Sequence, residues 1–193
     1  MRRKHTILDD KRLKMISKFV KGKDVLDIAY HSNPNKNLSK FNAIGIDLSF
    51  SDNADFYKKT IIGDATKLPD YFKKESFDTI IIGEFIEHVE IPYKLLRDCH
   101  FLLRDSGRLI ITTPNPLSFP FIVAEYLSLQ HNFFEPEHKF VFPKRWMYRM
   151  LKYTGFNNMQ CYSIGMWLPK YFDFFVLKCP KIMSLSLLYI ADK

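Results

Sequence analysis

A chain of 193 residues is long enough for one ordinary domain with a substantial core and too short for two full-sized ones. With 47% hydrophobic and 26% charged residues it is not intrinsically disordered; its +8 charge, basic at both ends and acidic between, admits nucleic acid, anionic lipid or phosphorylated partners without a dense cluster that requires one. Cys99, Cys161 and Cys179 lack CxxC spacing and read as reduced thiols of a cytoplasmic protein, which excludes a disulfide framework.

In chain order, the opening MRRKHTILDDKRLK has no apolar run behind its basic start, so no signal peptide is expected. Residues 1–24 are expected to supply a leading helix, because KRLKMISKFV spaces Leu13, Ile16, Phe19 and Val20 at helical intervals. DVLDIA then has the length of a buried strand. NLSKF reads as a short helix, AIGID and TIIGDA as strands, FDTIIIG as a buried strand, PYKLLRDCHFLL as a helix and GRLIITTP as a further strand. Strands this apolar need cover on both faces, which alternating helices provide. Beyond TTPNP, LSFPFIVAEYLSL reads as an apolar helix and PKRWMYRMLKYTGF as an amphipathic one stopped at Gly155. MQCYSIG and SLSLLYIAD read as closing strands. Trp146 and Trp167 are expected in the core or in a pocket wall, and Cys99 in the core. Pro169, Lys170, Asp173, Lys178 and Pro180 interrupt the apolar tail too often for a membrane span.

The expected architecture is one α/β domain over 1–193, a Rossmann-like, doubly wound, mostly parallel sheet, with residues 116–142 capping the substrate side. Ligands of such a sheet lie at the carboxyl ends of the strands, where Asp27, Asp47, Asp64 and Glu84 fall. Asp27 and Asp47 stand twenty residues apart, the interval between a first-strand turn and a ribose-binding carboxylate. Either acid could instead cap a helix. At Gly63-Asp64-Ala65, the Asp64 carboxylate suits an adenine amino group. Glu84, Glu87 and His88 share one helical face, and His138 follows later. Two carboxylates and two imidazoles can bind a divalent ion, or supply a general base for a hydroxyl nucleophile.

The ordered set VLDIA, GIDLS, IIGDA, FDTIIIGEFIEHVEIPYKLLRDCHFLLRDSGRLIITTPNP and PEHKFVFPKRWMYRMLKYTGF resembles the class I S-adenosylmethionine-dependent methyltransferases over nearly the whole chain, most specifically between Phe77 and Pro116. The resemblance implies a seven-stranded sheet ending in an antiparallel hairpin, with S-adenosyl-L-methionine lying across the strand ends. It further implies that Asp27 lies near the methionine moiety, Asp47 at the ribose and Asp64 at the adenine, with Ala29, His31, Leu48, Ala65, Gly83 and Glu84 beside them. The version with EFIEHV, TTPNP and a later PEH most resembles members that modify small molecules. A small-molecule or saccharide acceptor methylated at oxygen is therefore expected, with His88, His138 and Glu84 as the catalytic groups.

One alternative is an RNA 3'-terminal 2'-O-methyltransferase holding a metal on Glu84, Glu87, His88 and His138; the favoured reading needs neither metal nor nucleic acid. The chain departs from the family where a glycine-rich turn is usual, reading Ala29-Tyr30-His31-Ser32-Asn33. Ala29 is small, Asn33 tolerates left-handed geometry, and Asn33-Pro34 suits the start of a helix, so the turn can be rebuilt without glycine. A methyltransferase-like binding or scaffold protein without turnover is the second alternative. The sequence leaves the oligomeric state open.

Overall fold

Branched apolar residues in short runs, each closed by a turn or helix, produce a single sheet of seven strands. The computed structural model describes residues 7–127, 137–166 and 181–193. In chain order the elements are α1 (Ile7–Lys18), β1 (Asp24–Ile28), β2 (Asn42–Asp47), β3 (Lys59–Ile62), α2 (Leu68–Tyr71), β4 (Phe77–Gly83), α3 (Pro92–Leu102) and β5 (Leu103–Pro114). They continue with α4 (Phe119–Tyr126), α5 (Lys144–Tyr153), β6 (Asn157–Met166) and β7 (Ser184–Asp192). The strand order is β3-β2-β1-β4-β5-β7-β6, with β7 antiparallel to both its neighbours and the remaining pairs parallel. Sequence order reverses between β1 and β4, so a crevice opens at their carboxyl ends.

The two sheet faces sort the apolar residues by alternation. Val25, Ile81, Ile110, Leu188 and Ile190 pack with Leu13, Met15 and Ile16 of α1. Leu26, Ile80, Ile82, Leu109 and Ile111 pack with Leu95, Leu96 and Cys99 of α3 and with Met147 and Leu151 of α5. Cys99 is a core thiol, as expected, and burial raises its pKa.

Gly155 ends α5 at φ +98°. The Phe156 N–H donates to the Leu151 carbonyl at 3.0 Å and the Gly155 N–H to the Lys152 carbonyl at 3.2 Å, the paired bonds of a left-handed helix stop. Three expectations shift. NLSKF forms only a 3-10 turn at Lys36–Leu38, capped by Asn35 and not Asn33; the Asn35 side chain donates to the Leu13 carbonyl at 3.1 Å and pins the segment to α1. The strand expected from Gly107 starts at Leu103, with Ser106 at φ +61° in an irregular stretch. Trp146 is exposed, because α5 turns Met147, Met150 and Leu151 inward. Its indole carries the Arg149 guanidinium at 5.2 Å. Trp167, Cys179 and part of the expected 116–142 cap lie outside the described residues. Among the described residues no helix is long and apolar enough to cross a membrane.

Candidate cofactor and acceptor site

The carboxyl ends of β1, β2 and β4 open onto one cavity of about 990 Å³, walled by α1 on one side and by Glu137, His138 and Lys139 on another. That volume suits a small organic ligand.

The turn after β1 achieves without glycine what glycine normally allows. Ala29 stands at φ +58°, in the left-handed region, while its N–H still donates to the Ile46 carbonyl at 2.8 Å. The bulk of Tyr30 goes into the core: the side chain is 2% exposed and lies against Gly45, where a Cβ would come within 2.7 Å of the ring. Gly45 is thus a partner of Tyr30, and Tyr57 meets the same ring edge-on at 5.1 Å.

Asp27 is buried and accepts a hydrogen bond from the Tyr57 hydroxyl at 2.5 Å. Burial pushes its carboxyl up to about 7, opposed by the Tyr57 bond and by the charge of Arg12. The Tyr57 oxygen also accepts the Asn35 N–H at 3.1 Å, which fixes the hydroxyl proton toward Asp27. Asp47 accepts the His31 N–H and the Ser49 N–H, each at 3.1 Å, so its carboxylate is held at the cavity edge by the two loops it joins.

Arg12, which the sequence reading passed over, is buried at the cavity floor. Its Nη1 donates to Thr112 Oγ1 at 3.3 Å and lies 3.9 Å from Glu84 Oε1; its Nη2 donates to Asp9 Oδ1 at 3.4 Å. The signal was an arginine on the apolar stripe of a helix, four residues before Ile16, where a solvated side chain has no place. Tyr57 carried no comparable signal, since its role depends on a loop folding back over β1.

The end at which adenine was expected is less complete. Asp64 spends its carboxylate on capping, accepting from Thr66 N and Thr66 Oγ1 at 2.8 Å each, which holds its pKa below the usual range. Tyr71 lies over Gly63, where a Cβ would come within 2.7 Å of the ring, and its hydroxyl accepts the Asp64 N–H at 3.2 Å. Leu48, Asp64 and Ala65 lie outside the cavity lining, whereas Asp27, Ala29, His31, Asp47, Gly83 and Glu84 are brought together in it.

At the other end, Glu84 leaves β4 at φ +50°, a second left-handed non-glycine residue beside the first. Glu87 is buried; it accepts from Thr113 Oγ1 at 3.1 Å while its Oε1 has no hydrogen-bond partner among the described residues. Burial first, and the Glu84 charge second, push the Glu87 carboxyl up to about 8. The Glu87 carbonyl accepts the Lys139 and Phe140 N–H groups at 2.9 and 3.2 Å, tying residues 137–140 down beside it. His88 and His138 meet edge to face at 4.7 Å. His88 Nδ1 is 3.2 Å from the Glu137 carbonyl; a carbonyl only accepts, so Nδ1 carries the hydrogen and Nε2 of the neutral ring keeps a lone pair. Donor atoms of Glu87, His88 and His138 lie within 4.8 Å of one another, a group that fits a divalent ion; Glu84 is not part of it and faces Arg12 instead.

A doubly wound sheet with a cavity at its reversal point, a carboxylate at the end of β2 and a left-handed first turn has the architecture of an α/β protein that takes its ligand at the strand ends. The chain belongs to the methyltransferase domain family, whose model matches residues 1–161. Among solved structures it is similar to a SAM-dependent methyltransferase from Archaeoglobus fulgidus, at 20% identity and TM-score 0.73 over 96% of this chain and 93% of the other. It is similar also to one from Thermotoga maritima, at 17% identity and TM-score 0.74 over 96% and 92%. Those likenesses establish the fold. A ubiquinone biosynthesis O-methyltransferase of Glaesserella parasuis is 27% identical over 117 residues, covering 56% of this chain and 46% of the relative. The chain spans less than half the length of the curated relatives it matches.

Proposed function

We propose that the protein binds S-adenosylmethionine across the ends of β1, β2 and β4 and methylates a hydroxyl oxygen of a small organic acceptor. The observation that carries this reading is the meeting, in one cavity, of Asp27, left-handed Ala29 and Asp47 with the His88–His138 pair opposite. The cofactor, when bound, supplies a methyl group activated by its sulfonium charge. Arg12 at the floor suits the carboxylate of the methionine moiety and Asp27 its ammonium; Asp47 accepts hydrogen bonds from the ribose diol. Asp64, Ala65 and Leu48 complete the adenine end once Tyr71 yields space. Methyl transfer is an in-line displacement, so the protein's task is to hold the acceptor oxygen at near-attack distance and take its proton. His88 Nε2 is the base, with His138 packed against its ring and Glu84 lining the approach. Relatives named for ubiquinone biosynthesis support oxygen as the target and a non-polymeric acceptor, aromatic or saccharide, as the substrate.

Transfer of label from methyl-tritiated S-adenosylmethionine to a panel of phenolic and saccharide hydroxyl compounds tests the proposal. The His88→Ala variant is expected to lose at least about 100-fold in kcat, the span of general-base catalysis, with unchanged cofactor affinity. Equal turnover by variant and parent removes His88 from the mechanism. The Glu87, His88 and His138 group favours a second reading, a metal-dependent enzyme acting on RNA 3' ends; transfer to an RNA oligonucleotide that needs Mn2+ and is abolished by chelator selects it.

A further inference from the structure

Tyr57 stands two residues before β3, in the loop that returns from β2, and is buried without lining the cavity. The loop turns at Ala54, whose carbonyl accepts the Tyr57 N–H at 3.0 Å, and the Lys58 N–H then donates to the Ala43 carbonyl at 2.9 Å. Ala54, Tyr57, Tyr30, Leu38 and Ala43 pack into one apolar cluster with Leu13 and Ile16 of α1. Two rings clamp the phenol, Phe56 at 4.7 Å and Tyr30 edge-on at 5.1 Å. A side chain packed this closely has little freedom to move its hydroxyl.

That hydroxyl is placed by a chain of donors that starts from α1. The Asn35 side chain donates to the Leu13 carbonyl, and the Asn35 N–H donates to the Tyr57 oxygen, each at 3.1 Å. The Tyr57 hydroxyl donates in turn to Asp27 Oδ2, the one side-chain hydrogen bond that Asp27 makes among the described residues. Leu13 follows Arg12 in the sequence, so a single turn of α1 reaches the Asp27 carboxyl both through the Arg12 charge and through this relay.

The charged and titratable groups facing Asp27 are Arg12 from α1, Asp47 from the end of β2 and Tyr57 from the loop; on the β4 side its partner is apolar Ile81. Tyr30 faces Tyr57, and Glu84 at the end of β4 faces Arg12. Burial disfavours the charged carboxyl and Asp47 adds to that, while the Tyr57 hydroxyl and Arg12 oppose it. A phenol held as a donor stabilises a carboxylate through one oxygen and leaves the other for a ligand.

We propose that Tyr57 is a positioning residue, which holds Asp27 as a carboxylate with one oxygen free for the ammonium group of the cofactor. The inference rests on the reading of the cavity as an S-adenosylmethionine site and adds to it a residue that the ligand itself does not touch.

The test compares the parent with Tyr57→Phe, which keeps the ring and removes the hydroxyl. Asp27 is titrated in the free protein by NMR of its carboxyl carbon, and S-adenosylmethionine affinity is measured by isothermal titration across the same pH range. Loss of a charge-assisted hydrogen bond is expected to raise the Asp27 midpoint by about one pH unit from its parental value of about 7. At pH 7 about half of the parent and about a tenth of the variant are then ionised, so binding is expected to be about fivefold weaker, with the deficit closing at higher pH. A ring-fluorinated tyrosine at position 57, a stronger donor, is expected to move the midpoint down. In an Asp27→Asn background, Tyr57→Phe is expected to leave the pH profile of binding as it was. A Tyr57→Phe protein that melts lower yet titrates Asp27 at the parental pH has lost packing alone and overturns the proposal. So does a parental pH profile of binding, or a midpoint that fluorination leaves in place. A folded parent that binds no S-adenosylmethionine overturns the cofactor reading, and the Asp27 titrations then decide for or against Tyr57.

Discussion

Single residues carry the end of the cavity proposed for the cofactor. Alanine at φ +58° bears a steric cost of about 1–2 kcal/mol that glycine would not. Ala29→Gly, offset by the extra freedom of the unfolded chain, is expected to raise stability by about 0.5–1 kcal/mol in urea melts. A loss of stability would show that Ala29 is not held in that conformation. Asp27 predicts a pH dependence. The ordinary carboxyl value is 3.8 and the folded one about 7, so between those values the unfolded chain has released a proton that the native one keeps. Stability of the free protein therefore falls as pH rises from about 4 to about 7, and Asp27→Asn flattens that slope in thermal melts. If ionised Asp27 pairs with the cofactor ammonium, affinity rises through the same window and levels off above pH 7. Asp47→Ala is expected to weaken cofactor binding at least about tenfold, the loss of a charge-assisted hydrogen bond, without moving the melting temperature.

At the scale of elements, what could be read depended on how local the cause was. The stop of α5 was legible because Gly155 follows an amphipathic run, and Gly155→Ala is expected to cost about 1–2 kcal/mol in denaturant melts, since φ is +98° and the new Cβ would fall within 2.8 Å of His100 Nε2. The strands were legible from their apolar runs, and β7 matches SLSLLYIAD residue for residue. The helix expected at NLSKF was not, because the Asn35 bond to α1 is a tertiary contact. Trp146 was misplaced for a related reason: the helical period admits two neighbouring faces, and packing chose the one with Met147 and Leu151. Of the site, the carboxylates at strand ends could be found by spacing. Arg12 reaches the cavity from a helix and Tyr57 reaches Asp27 from a loop, both distant in sequence, and the approach of Glu87, His88 and His138 required residues 137–140 to hang from the Glu87 carbonyl.

The whole molecule unites these parts because β1 and β4 are neighbours in the sheet and the chain reverses direction of growth between them. Ala29 and Glu84, each left-handed, leave the sheet at that point and line the cavity there. Asp27 and Asp47 and the histidine pair line one cavity along the same edge of the sheet. Isothermal titration of the folded protein with S-adenosylmethionine, and then S-adenosylhomocysteine, tests the central claim directly. Saturable one-to-one binding of both, weakened by Asp47→Ala, is the predicted result. No heat and no displacement with either ligand, in a protein shown to be folded, would contradict it and leave a methyltransferase fold that serves as a scaffold.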